Sequence, residues 1–188
     1  MSPQGKGSPE IAASIVAAKT ALARIYTNWS VRGPSLEAST AVTAMAQEEA
    51  GHARVLKRLT KDADGNPLTC LDRNPESWPQ MIGTVGAVEV AMGRIIRALS
   101  RSRNEEWRGR AVKMAMEERF HEDFFSGWSA SLSRESEGAR RVYEEARIEA
   151  DREVTGWLEN LDALAADAGI LAEGELLRGR PLQRTHEL

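Results

Sequence analysis

The chain is poor in the residues that build disulfide-linked and iron–sulfur proteins, and it has little net charge of either sign. It has one cysteine, Cys70, in 188 residues, which excludes an intrachain disulfide and any Cys-x-x-Cys iron–sulfur or rubredoxin module. Its net charge is −3 with acidic and basic residues interspersed, which argues against a protein that binds nucleic acid or a membrane surface. No apolar run reaches membrane-spanning length.

The two ends of the chain differ in composition from its middle. Residues 1–8 are rich in Gly, Ser and Pro, lack the apolar core of a signal peptide, and are predicted to be a flexible leader of a cytoplasmic protein. Residues 9–170 are predicted to form one helical domain, which is long enough to bury a core. Residues 171–188 are predicted to be a polar tail in which His186 is solvated.

Apolar residues recur at helical spacing along most of the chain. The pattern predicts helices over residues 9–31, 36–60, 77–99, 104–132 and 136–161, with one more short helical stretch after residue 162. The fifth helix is the more charged, so it is expected to cover the outside of the bundle or to face a partner. The predicted fold is all-α, a ferritin-like four-helix bundle with one or two additional helices.

Two of only three histidines follow a glutamate by three positions, as Glu49 with His52 and Glu118 with His121. Residues three apart lie on one face of a helix. A single pair of this kind is typical of a surface glutamate beside a partly buried histidine, whereas two pairs on inward seams favour a metal site. Paired Glu-x-x-His on two helices, with a glutamate from each of two others, is the ligand set of carboxylate-bridged di-iron and di-manganese bundles.

Each of the first four predicted helices has one apolar face, here called its seam. A charged residue or ligand pair interrupts each seam, at Lys19, at Glu49, at Glu89 and at Glu118. Antiparallel helices rise about 1.5 Å per residue, so residues equally far from a connecting turn lie at one level. The four positions are therefore predicted to meet at one height in the bundle. Buried charges there must neutralise, pair or coordinate a metal.

Motifs in the first, second and fourth helices resemble the phenylacetic acid catabolic protein family, the ferritin-like subunits of phenylacetyl-CoA epoxidase. The matching text is YTNW at 26–29, GPSLE at 33–37, QEEAGHARVL at 47–56 and EERFH at 117–121, followed by Trp128. The resemblance spans about residues 15–160. It implies a di-iron centre in a catalytic subunit, oxygen insertion into the aromatic ring of a coenzyme A thioester, and a helical partner subunit without the metal.

Under this resemblance, the residues that match the family's ligand pattern are Glu49, His52, Glu89, Glu118 and His121. Helix one departs from the pattern, because Lys19 stands where catalytic subunits have a glutamate. Four carboxylates balance two divalent ions, whereas three carboxylates and one ammonium leave a charge of −2. That charge balances one divalent ion, or none if carboxylates are protonated or held by Lys19.

Three hypotheses follow. In the first, the chain is a metal-dependent monooxygenase or oxidase that binds iron or manganese. Its substrate is an acyl-CoA thioester or another small molecule, and its electrons come from an external reductase. Lys19 then acts as a proton donor or a counter-ion. In the second, no metal binds, Lys19 clamps Glu49 and Glu89, and the chain is a structural subunit that assembles with a catalytic ferritin-like partner. The third, iron storage, has no supporting feature. A homo-oligomer, or a hetero-oligomer with a related helical subunit, is expected.

Overall fold

The computed structural model describes residues 7–171 and 175–178, and all regular structure within these ranges is helical. The α-helices are α1 (Ser8–Trp29), α2 (Leu36–Leu56), α3 (Trp78–Leu99), α4 (Glu105–Leu132) and α5 (Glu137–Ala168). Single 3-10 turns follow α2 at Lys57–Leu59 and precede α3 at Thr69–Leu71. The all-α prediction is confirmed.

Side-chain caps determine where four of the helices begin. The side-chain oxygen of Ser35, Ser77, Asn104 or Ser136 accepts a hydrogen bond from a backbone N–H in the first turn of the helix that follows. A cap of this kind stabilises a helix by about 1 kcal/mol, because it satisfies a donor that has no partner within the helix.

The helices pack as two hairpins with a fifth helix outside them. The most extensive contacts join α1 to α2, α3 to α4, and α3 to α5, and α5 also contacts α1. At Gly83 of α3, an added Cβ would lie 2.5 Å from the carbonyl oxygen of Tyr143, so glycine permits the close approach of α5. The inner face of α5 buries Val154, Trp157 and Leu161. Of the two alternatives predicted for the fifth helix, packing on the outside of the bundle is confirmed, and facing a partner stays a prediction.

The end of the fifth helix differs from the prediction. Helix α5 continues to Ala168 instead of stopping at Leu161, and the short stretch expected after residue 162 is its last two turns. Asp162 and Ala165 are buried on the face that packs inward, which extends the helix until Gly169 ends it with a φ of 61°. Within residues 7–171 and 175–178 no further helix follows.

Parts of the predicted leader and tail, including His186, lie outside the described residues. The leader was expected to reach residue 8, but α1 already begins at Ser8, where residue 7 is a glycine with a positive φ of 102°. No helix in the part of the chain that the structure describes is long and apolar enough to cross a membrane.

Candidate metal centre

Three carboxylates, two imidazoles and one ammonium meet in the interior of the bundle, each on a helix that the apolar seams had placed inward. Their side chains come from Lys19 on α1, Glu49 and His52 on α2, Glu89 on α3, and Glu118 and His121 on α4. All are fully buried except His52, which is 5% exposed. The predicted convergence of the four seams at one level is confirmed.

Lys19 joins two of the carboxylates. Its Nζ donates to Glu49 Oε1 at 2.8 Å, to Glu49 Oε2 at 3.0 Å and to Glu118 Oε1 at 2.7 Å. The predicted pairing of Lys19 with Glu49 is confirmed, but the prediction that Glu89 is the second clamped carboxylate is wrong. Glu89 is engaged elsewhere because the hydroxyl of Tyr26 donates to its Oε1.

The charges of this network support one another. Burial disfavours the Lys19 ammonium, but the carboxylates of Glu118 and Glu49 outweigh it and hold the pKa of Lys19 above its usual range. Burial also disfavours the Glu118 carboxylate, yet the charge of Lys19 outweighs it and lowers the pKa of Glu118 to about 2. At Glu49 burial dominates and raises the pKa. Lys19 and Glu118 therefore form an ionised pair at neutral pH.

Each imidazole turns its Nδ1 toward the carboxylates in the middle. His121 Nδ1 lies 3.3 Å from Glu89 Oε2 and 3.5 Å from Glu49 Oε1. His52 Nδ1 lies 3.5 Å from Glu118 Oε1 and 3.8 Å from Glu49 Oε1. Both histidines therefore point a ring nitrogen at the same group of oxygens, but only His121 belongs to the compact group of donor atoms that could hold a metal ion.

The outer nitrogens of the imidazoles are held crosswise between α2 and α4. His121 Nε2 lies 2.8 Å from Glu48 Oε2, and His52 Nε2 lies 2.7 Å from Glu117 Oε2. Each histidine is thus fixed by the glutamate that precedes the inner glutamate of the other helix. Outer carboxylates of this kind orient a histidine ligand and raise its basicity.

Sequence reasoning did not assign roles to Tyr26, Glu48 or Glu117. The signal for the two glutamates was present, because both motifs read Glu-Glu-x-x-His. Adjacent helical residues are about 100° apart around the axis. When the second glutamate of each doublet points inward, the first can therefore reach the neighbouring helix.

The paired carboxylates keep both imidazoles protonated in this network. An imidazolium can donate from both ring nitrogens, which a neutral imidazole cannot do. Burial disfavours the charged ring of His121, but Glu89 and then Glu49 and Glu118 outweigh it and raise the pKa to about 10. Burial is likewise outweighed at His52, where carboxylates of Glu118, Glu49 and Glu117 raise the pKa to about 9.

The donor atoms of four buried residues are arranged as metal ligands would be. One atom from each lies within 4.8 Å of the others, and the residues are Glu49, Glu89, Glu118 and His121. Carboxylate oxygens with one imidazole nitrogen suit iron, manganese or zinc. Two atoms of the cluster, Glu118 Oε2 and His52 Nδ1, are buried without a hydrogen-bond partner. Buried polar atoms are normally satisfied, so Glu118 Oε2 is free to bind a cation, whereas His52 Nδ1 would have to lose its proton first.

No protein-family model matches the chain, and no curated protein matches it significantly. The buried cluster could hold a metal ion within the helical bundle, and the resemblance to the phenylacetic acid catabolic family stays a prediction.

Proposed function

We propose that the chain binds one divalent transition metal, iron or manganese, through four buried residues and uses the centre to activate dioxygen in an oxygenase or oxidase reaction. The observation that carries the proposal is the cluster of Glu49, Glu89, Glu118 and His121, whose donor atoms lie within 4.8 Å of one another. Without a metal, the three carboxylates are balanced by the ammonium of Lys19 and by the protonated rings of His52 and His121. A bound metal would replace the proton of His121 as a counter-charge to these carboxylates.

The protein side chains would position the centre and protect it. Glu48 fixes the ring of His121 through Nε2, and Tyr26 holds Glu89 by a hydrogen bond to Oε1. The four ligands are themselves fully buried, so bulk water is excluded from the site. A bound redox-active metal would supply an open coordination position and electrons for dioxygen. With one cysteine in the chain, further electrons would come from a separate reductase.

The substrate class enters this proposal through the resemblance alone. A coenzyme A thioester is the substrate that the phenylacetic acid catabolic family implies, and a related helical subunit is the partner it implies. Both extend the proposal beyond metal binding. Each is tested after the metal content is known.

The first experiment measures metals per chain by mass spectrometry, on protein expressed with iron and manganese and purified without chelator. We expect about one metal in the wild type, in line with the charge of −2 of three carboxylates and Lys19. Glu89→Gln should lose it, whereas Glu105→Gln, at a side chain 91% exposed on α4, should keep it. Full metal occupancy in Glu89→Gln would contradict the proposed ligand set.

Dioxygen activation is tested on the same preparations. After anaerobic loading with ferrous iron, the wild type and Glu105→Gln should consume dioxygen faster than free ferrous iron in the same buffer, and Glu89→Gln should not. Consumption in the wild type at the rate of the free ion would leave a metal-binding protein without oxygen chemistry.

A structural subunit is the second candidate, and the Lys19 ion pairs favour it. Because Lys19 already neutralises part of the charge of Glu49 and Glu118 at 2.7–3.0 Å, the cluster could serve as an internal ion-pair network. This candidate predicts no bound metal after anaerobic reconstitution and co-purification of a related helical subunit. One tightly bound metal per chain would contradict it.

A further inference from the structure

The ammonium of Lys19 is placed as a metal ion would be. It contacts three carboxylate oxygens of two residues, Glu49 and Glu118, at 2.7–3.0 Å. Two of these oxygens, Glu49 Oε1 and Glu118 Oε1, are the same atoms that lie 3.8 and 3.5 Å from His52 Nδ1. The positive charge and the imidazole therefore share a pair of oxygens, one from each of two helices.

His52 Nδ1 is not one of the ligand atoms of the proposed four-residue metal site. It is buried, it has no hydrogen-bond partner, and it points at the oxygens that Lys19 contacts. Its counterpart His121 belongs to the four-residue set, and its Nδ1 lies 3.3 Å from Glu89 Oε2. The cluster thus has two halves that share Glu49 and Glu118. In one half, His121 lies beside the carboxylate of Glu89, which the other half does not share. In the other half, His52 faces the oxygens that the ammonium of Lys19 contacts.

We propose that His52, Glu49 and Glu118 form a second cation position that Lys19 fills in place of a metal, so that Lys19 limits the centre to one metal ion. The inference rests on the proposed function for the first metal, at His121 and Glu89. It assigns His52 as a ligand of the second position only, and it makes residue 19 the determinant of how many metals the bundle holds.

The chemistry of Lys19→Glu follows from charge and length. The change removes an ammonium and adds a carboxylate, so the four central residues go from a charge of −2 to −4, which balances two divalent ions. A glutamate side chain is one bond shorter than a lysine side chain. It therefore leaves room for an ion between its carboxylate and the oxygens of Glu49 and Glu118.

The test uses Mn²⁺ as the probe, with bound metal counted by mass spectrometry and examined by electron paramagnetic resonance. Wild-type protein should bind one Mn²⁺ with the six-line spectrum of an isolated ion. Lys19→Glu should bind two, with the spectrum of an exchange-coupled pair, since the ions of two-metal sites lie about 3.5–4 Å apart. Arg141→Glu, the same charge change at a side chain 73% exposed on α5, should stay at one.

A second set of variants tests the assignment of His52 without needing Lys19→Glu to fold. In a protein that keeps Lys19, His121→Ala should weaken Mn²⁺ binding by more than about 100-fold, which is the upper end of what loss of an outer-shell partner costs. His52→Ala should weaken it by less than about tenfold, the lower end of that range. Equal losses in the two variants would overturn the inference.

The outcomes separate this inference from the proposed function. One Mn²⁺ in both the wild type and Lys19→Glu would overturn the second position and leave the single-metal site standing. Two in the wild type would show that Lys19 does not fill a metal position. None in the wild type would overturn the proposed function, and the inference with it. In Lys19→Glu, adding His52→Ala should return the count from two to one.

Discussion

Replacing Lys19 by methionine should destabilise chelator-treated protein by several kcal/mol. Methionine keeps most of the length and apolar surface of lysine but removes the ammonium that donates to Glu49 and Glu118. Both carboxylates would then be buried without that counter-charge. Removing one partner of a buried ion pair costs about 3–5 kcal/mol, because the other partner stays buried and unpaired.

The same magnitude follows from proton uptake. In the wild type Lys19 holds the pKa of Glu118 at about 2; if Glu118 in the variant avoids a buried unpaired charge by binding a proton, its folded pKa rises far above the ordinary value of 4.5. At pH 7 the unfolded carboxylate is ionised, and holding it protonated in the folded state costs about 3.4 kcal/mol. At pH 5 the cost falls to about 0.8 kcal/mol. The penalty therefore grows as pH rises above 4.5.

Urea denaturation in the presence of chelator, at pH 7 and pH 5, measures both quantities. We expect a loss of about 3–5 kcal/mol at pH 7, which is about 6–20 °C in Tm for a domain of this size. The loss should be smaller at pH 5. Lys57→Met, at an exposed side chain away from the cluster, should change stability by less than about 0.5 kcal/mol. A Lys19→Met protein as stable as the wild type at pH 7, or an equal loss at both pH values, would refute the reasoning.

Three further predictions follow from the ligand environment. Metal affinity, measured by chelator competition, should rise about tenfold per pH unit between pH 7 and 9, because His121 with a pKa of about 10 must lose a proton to bind metal; a flat profile would contradict this. Glu48→Gln should weaken metal binding by about 10–100-fold, since Glu48 orients His121; unchanged affinity would remove that role. Tyr26→Phe should destabilise chelator-treated protein by about 1.5–3 kcal/mol in urea denaturation, because Glu89 loses its hydroxyl donor; a change under about 0.5 kcal/mol would show that this hydrogen bond is weak.

Apolar periodicity was sufficient to predict the helices and the inward faces of the charged residues. The start of α2 at Leu36 and both ends of α3 and α4 lie within one residue of the prediction, because cap residues such as Ser35, Ser77 and Asn104 occur directly before each helix. Counting residues from the turns placed Lys19, Glu49, Glu89 and Glu118 at one level, since the helical rise is nearly constant.

The partners within the cluster could not be predicted in the same way. Several carboxylates lie within a few ångströms at one level, so the choice between Glu118 and Glu89 for Lys19 depends on side-chain rotamers and on Tyr26. Helical periodicity predicts the side of the helix on which a residue lies, and its height along the axis to within about one turn. That is too coarse to decide between Glu118 and Glu89. The length of α5 was underestimated because, apart from Leu164, its last turns consist of Ala and Asp and contain no large apolar residue.

The ion pairs of Lys19 also fix the register between helices that are far apart in the chain. Lys19 and Glu118 are separated by 99 positions, whereas each hairpin is closed by a short connection. If α4 slid along α1 by about one turn, roughly 5 Å, Met114 or His121 would replace Glu118 opposite the ammonium. Apolar seams tolerate such a shift, because one buried aliphatic side chain replaces another. A buried ammonium does not, so the polar centre selects one alignment of the two hairpins among those that the apolar seams allow.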